Sequence, residues 1–139
     1  MIPLVDLKAQ YSHIKDEINN AIQEVIDETA FIKGRFVEKF EKEFSDICDS
    51  KYCIGVGNGT DALYVSQRVL GIGKGDEVIT SASSWISTSE TITQCWAKPV
   101  FVDIDEDYYT IDSEIIKEKI NNKTKAINPV HLYGQVAEM

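Results

Sequence analysis

Apolar residues in the first part of the chain recur at helical spacing. Ile14, Ile18, Ile22 and the pair Val25–Ile26 are separated by Glu, Asp, Lys and Asn, which predicts an amphipathic helix over residues 6–28. Gly34 breaks that rhythm after Phe31 and Ile32. Phe36, Phe40, Phe44 and Ile47 then share one stripe of a second helix over residues 35–48. Such a stripe serves either as a partner surface or as an ordinary core-facing side, and the core-facing side is the expectation.

From Lys51 the pattern changes. Tyr52-Cys53-Ile54-Gly55-Val56 is a short apolar run suited to a buried strand. Gly57-Asn58-Gly59 reads as a turn, and Thr60 or Asp61 as the cap of a helix through Ala62, Leu63, Val65, Val69 and Leu70. Residues 71–76 end that helix and 77–80 form the next strand. A polar connection, Ser81 to Ser84, leads to a helix from Trp85 or Ile86 to Trp96. A third strand is expected over 99–104 and a loop over 105–110. Asp112 then caps a helix to about Ile120, and 125–130 is a fourth strand. Residues 1–50 thus form a helical segment, and 51–139 read β-α-β-α-β-α-β. Apolar strands alternating with helices imply an α/β fold, a mostly parallel sheet with flanking helices on both faces.

Composition narrows the function classes. The 139 residues carry 14 Lys+Arg against 23 Asp+Glu, a formal net charge of −9. That charge and the scattered basic residues argue against nucleic acid and against anionic membrane surfaces. With 43% hydrophobic residues and only 3 prolines, the chain has material for a core and little of the signature of disorder. It holds no apolar stretch of membrane-span length and shows no signal-peptide pattern after Met1, so the cytoplasm is the expected location. Cys48, Cys53 and Cys95 are an odd count, read as reduced thiols. His13 and His131 lie far from them in sequence, so no metal site is expected.

The stretch that carries chemistry runs from Gly55 to Leu63. A glycine-rich turn between strand and helix can present backbone N–H groups to an anion. The helix N-terminus adds partial positive charge and Thr60 a hydroxyl donor. Three readings stay open on spacing alone: a phosphate cradle, a degenerate dinucleotide fingerprint through Gly55 and Gly57 with Thr60 at its third glycine, and a capped turn with no ligand. Trp85, after the next strand, is either a ring that stacks on a planar cofactor or a core or interface residue. His131-Leu132-Tyr133-Gly134-Gln135 should follow the carboxyl end of the last strand, where open α/β sheets bind ligands.

Several segments in order resemble the DegT/DnrJ/EryC1/StrS family of pyridoxal-phosphate-dependent sugar aminotransferases. They are residues 2–7, 31–34 with 37–41, Gly57-Asn58-Gly59-Thr60-Asp61-Ala62-Leu63, 71–79, 98–103 and 129–135. The resemblance covers essentially the whole chain. It implies an aspartate-aminotransferase-like (type I) fold, a homodimer, and a site built from both subunits. By motif it assigns Gly59, Thr60 and Asp61 to the cofactor phosphate, and Trp85 to the aromatic that stacks on the pyridine ring. It sets His131, Tyr133 and Gln135 near the pocket, with a purely structural role for that loop left open.

The family's reacting residues are a lysine that forms a Schiff base with the cofactor and a carboxylate on its pyridine nitrogen. By the resemblance both lie farther along than Met139, and Lys33, Lys74, Lys98 and Lys125 match neither. The expectation is therefore an incomplete cofactor-binding domain over 51–139. The chain would hold the phosphate and stacking half of a site, bind pyridoxal phosphate weakly or not at all, and be inactive and unstable unless it oligomerises or joins the rest. The implied parent reaction moves an amino group from glutamate to a nucleotide-linked keto-sugar. The alternatives are a dehydratase of the same family with histidine for lysine, a non-catalytic assembly module, and, more remotely, a nicotinamide-dependent oxidoreductase.

Overall fold

A computed structural model describes residues 5–139, so residues 2–4 of the first matching segment lie outside the described residues. The chain forms two compact units, Met1–Gly55 and Val56–Met139.

The first unit holds α1 (Leu7–Asp27) and α2 (Arg35–Ile47). Asp6 caps α1 by accepting the Ala9 N–H at 2.9 Å. Arg35, at the start of α2, makes paired contacts with the Glu28 carboxylate just past α1, and this holds Glu28 below its ordinary pKa. The apolar stripe of α2 is not a core-facing side in this structure: Phe40, Phe44 and Ile47 are all exposed. Phe40 and Phe44 pack against each other, with ring centroids 5.5 Å apart.

The expected strand over 52–56 does not form, and the sheet has three strands among the described residues where four are predicted. An apolar run becomes a strand only if a neighbour takes its backbone groups into a ladder. The Gly55 N–H instead donates to the Glu41 carboxylate at 2.7 Å, and Tyr52 and Ile54 are exposed.

The second unit carries α3 (Gly59–Val69), β1 (Glu77–Ser81), α4 (Ser87–Gln94), β2 (Lys98–Val102), α5 (Ser113–Lys119) and β3 (Thr124–Asn128). The strand order is β2-β1-β3 and both pairings are parallel. Central β1 is buried along its whole length, and its alternating side chains serve two cores. Val78 joins Ile72, Ile92, Cys95 and Ala97 on one face. Ile79 joins Val102, Ile111 and Ala137 on the other. Each strand is joined to the next through a helix, as parallel pairing requires. Asp112 caps α5 as the sequence predicts, accepting from Glu114 and Ile115. Strand β2 ends at Val102, short of the expected 104, because Ile104 leaves the ladder to bridge Ile111. Strand β3 ends at Asn128, ahead of the pyrrolidine ring of Pro129, which has no N–H to donate.

Candidate functional site

Helix α3 begins earlier than the sequence suggests, and its cap is Asn58 rather than Thr60 or Asp61. Asn58 has extended backbone, and its Oδ1 accepts the Asp61 N–H at 2.9 Å. Its Nδ2 donates back to Asp61 Oδ2 at 3.0 Å, so cap and first-turn carboxylate hold each other. A Cβ on Gly57 would lie 2.8 Å from that same Oδ2 and would displace the Asp61 carboxylate; a Cβ on Gly59 would meet nothing within 4 Å. The Asp61 and Ala62 N–H groups are spent on Asn58, whereas those of Gly59 and Thr60 have no partner among the described residues. These two donors lie at the positive end of a helix.

The Thr60 hydroxyl lies 2.8 Å from the Ser87 hydroxyl, which ties the start of α3 to the start of α4. Nothing in the sequence pattern singled out Ser87; it sits inside a run of Ser and Thr that reads as a polar connection. Helix α4 starts at Ser87 and ends at Gln94, so Trp85 and Trp96 both fall in loops, outside the helix expected to contain them. Trp85 is 77% exposed and lines a cavity of about 270 Å³ with residues that include Ser81, Thr88 and Phe101. None of Gly59, Thr60 and Asp61 lines that cavity. The structure thus brings Thr60 to Ser87, two residues past Trp85, and leaves the indole without cover from the cradle.

The loop after β3 is held by its own contacts. The Ala137 N–H donates to His131 Nδ1 at 3.1 Å, so that nitrogen is an acceptor within the loop. Tyr133 adopts a left-handed backbone (φ 55°) with an exposed ring. Gln135 lines a larger cavity, about 470 Å³, beside Asp105, Asp112, Glu114 and Glu138. Four carboxylates around that cavity oppose an anion there.

A three-stranded parallel sheet with flanking helices, and a glycine-flanked, asparagine-capped helix start tied to the start of α4, give the second unit an α/β fold. The model of the DegT/DnrJ/EryC1/StrS aminotransferase family matches residues 12–139, and the chain belongs to that family. It is 46% identical over 99% of its length to the UDP-2-acetamido-2-deoxy-3-oxo-D-glucuronate aminotransferase of Pseudomonas aeruginosa, covering 38% of that protein. Other relatives bear the names of transaminases of dTDP- and UDP-linked sugars. Superposed on the crystal structure of S. venezuelae DesV in complex with a ketimine intermediate, it gives a TM-score of 0.94 at 39% identity, over 99% of this chain and 37% of that one. On ntda from Bacillus subtilis with bound cofactor PMP the score is 0.93 at 33% identity, over 99% of this chain and 32% of that one. The chain spans less than two fifths of the length of these relatives.

Proposed function

We propose that this chain provides the phosphate cradle of a pyridoxal-phosphate-dependent sugar aminotransferase. In the complete reaction an amino group passes from glutamate to a nucleotide-linked keto-sugar. Bound pyridoxal phosphate supplies the electron sink for that chemistry. The carrying observation is the pair of open N–H donors on Gly59 and Thr60, with the Thr60 hydroxyl beside them. They fit a phosphate: donors at a helix N-terminus, with open space where a Cβ on Gly59 would stand. Asp61 contributes by fixing Asn58, since its N–H is taken and its carboxylate cannot donate. Trp85 would stack on the cofactor ring from its exposed loop. The proposal includes a homodimer, and a cytoplasmic setting in keeping with the free thiols of Cys48, Cys53 and Cys95. None of the described helices is long and apolar enough to cross a membrane.

The test is a titration of the full chain with pyridoxal 5′-phosphate against its phosphate-free analogue, pyridoxal. Thr60→Val removes one hydrogen bond to a charged group, worth about 1.5–3 kcal/mol, so phosphate-dependent binding should fall roughly tenfold or more. Unchanged binding by the variant would overturn the cradle.

A further inference from the structure

Beside the cradle lies a line of hydrogen bonds through buried polar side chains. Gln67 (6% exposed) on α3 donates from Nε2 to Thr91 Oγ1 at 3.1 Å. Thr91, fully buried on α4, donates its single hydroxyl proton to the Ser87 carbonyl one turn earlier, at 2.8 Å. The direction of those two bonds is therefore fixed. The last bond, between the hydroxyls of Ser87 and Thr60, is the one whose direction geometry alone leaves open.

Burial decides it. Ser87 is 7% exposed, and its Oγ has no other partner among the described residues. If Thr60 donated to Ser87, the Ser87 proton would be left buried with no acceptor, at a cost of about 1–3 kcal/mol. If Ser87 donates, the spare proton belongs to Thr60, which is only half-buried and stands at the open start of α3. We propose that Ser87 is a positioning residue: with its backbone carbonyl held by Thr91, which Gln67 ties to α3, its hydroxyl donates to Thr60 Oγ1 and so turns the Thr60 proton outward, as a preset donor to a phosphate oxygen. This rests on the phosphate-cradle reading of α3. A hydroxyl that already accepts a hydrogen bond is also a better donor, because the two bonds polarise one another.

The test compares binding of pyridoxal 5′-phosphate and of pyridoxal by the full chain and its variants. Ser87→Ala should weaken the phosphate-bearing ligand about three- to tenfold, the size of one net hydrogen bond, and leave pyridoxal unchanged. A merely structural role for Ser87 would move both ligands together. Ser87→Thr restores a hydroxyl and should recover most of the loss. On a Thr60→Val background, Ser87→Ala should have no further effect, because Ser87 acts only through the Thr60 hydroxyl. Should Ser87→Ala fail to melt cooperatively, Ser87→Cys keeps the bulk with a weak donor and should fall between wild type and the expected loss. Wild-type phosphate affinity in Ser87→Ala or Ser87→Cys, or an additive double variant, would overturn the inference while a weakened Thr60→Val left the cradle standing. No effect of Thr60→Val would remove cradle and inference together.

Discussion

At the scale of single residues, polar side chains fix the geometry of this chain at its turns and strand ends. Asn58 closes the start of α3 through two bonds to Asp61, and Gly57 leaves the carboxylate the room it needs. Glu77 does comparable work at the start of β1. It is nearly buried, with Asn121 Nδ2 at 2.8 Å on one oxygen and Lys98 Nζ at 3.2 Å on the other. The Asn121 and Lys98 bonds favour the ionised form and hold its pKa below the ordinary value. The folded state therefore binds this proton less readily than the unfolded chain. Its contribution to stability is present above the unfolded value, about 4.3, and is lost as pH falls through the lower folded value. Melting temperatures of wild type and Glu77→Gln should accordingly differ most near neutrality and converge in acid. A gap that stays constant down to pH 3 would show that the carboxylate charge is not what stabilises this strand end.

At the scale of elements, the helices were more legible than the strands. The 3.6-residue spacing of Ile14, Ile18 and Ile22 placed α1 within a residue of its observed ends, and Asp112 announced α5 by its cap. The run at 52–56 has strand composition but no ladder partner, and pairing is a property of two segments that no single segment displays. The cap of α3 was placed too late because Asn58 sits between two glycines and reads as turn. Of the candidate site, the family resemblance alone assigns Gly59 to a phosphate; only Thr60, as a hydroxyl donor, was readable from the glycine-rich spacing. Ser87, Thr91 and Gln67 were not, because their alignment depends on how α4 packs on α3. That packing also carries a cost. Gln67 Oε1 is buried with no hydrogen-bond partner among the described residues, and a buried acceptor left unmet costs about 1–3 kcal/mol. Gln67→Met fills the same space without the orphan oxygen, at the loss of one bond to Thr91. Its melting temperature should equal or exceed that of wild type, while phosphate-dependent binding falls, since Thr91 loses its tie to α3. A marked drop in melting temperature would mean that the amide stabilises the α3–α4 contact more than its unmet oxygen costs.

At the scale of the whole molecule, burial is distributed unevenly between the two units. Every buried apolar side chain among the described residues lies between Ile72 and Ala137. In the first unit the only buried side chain among the described residues is that of Ser45, and α1 buries none. Helices owe most of their stability in water to packing of an apolar face rather than to intrinsic propensity. The apolar positions of α1, including Ile22 and Ile26 at about half exposure, are thus a face without a described cover. Amide hydrogen exchange should separate the units. Val78, Ile79 and Thr80, in the fully buried central strand, should exchange slowest. The amides of α1 and α2 should exchange quickly in a dilute sample. If the proposed self-association covers these helices, their protection should rise with protein concentration while that of β1 does not change. Protection of α1 equal to that of β1 in a dilute, monomeric sample would contradict the expectation that the chain is stable only when it oligomerises or joins the rest.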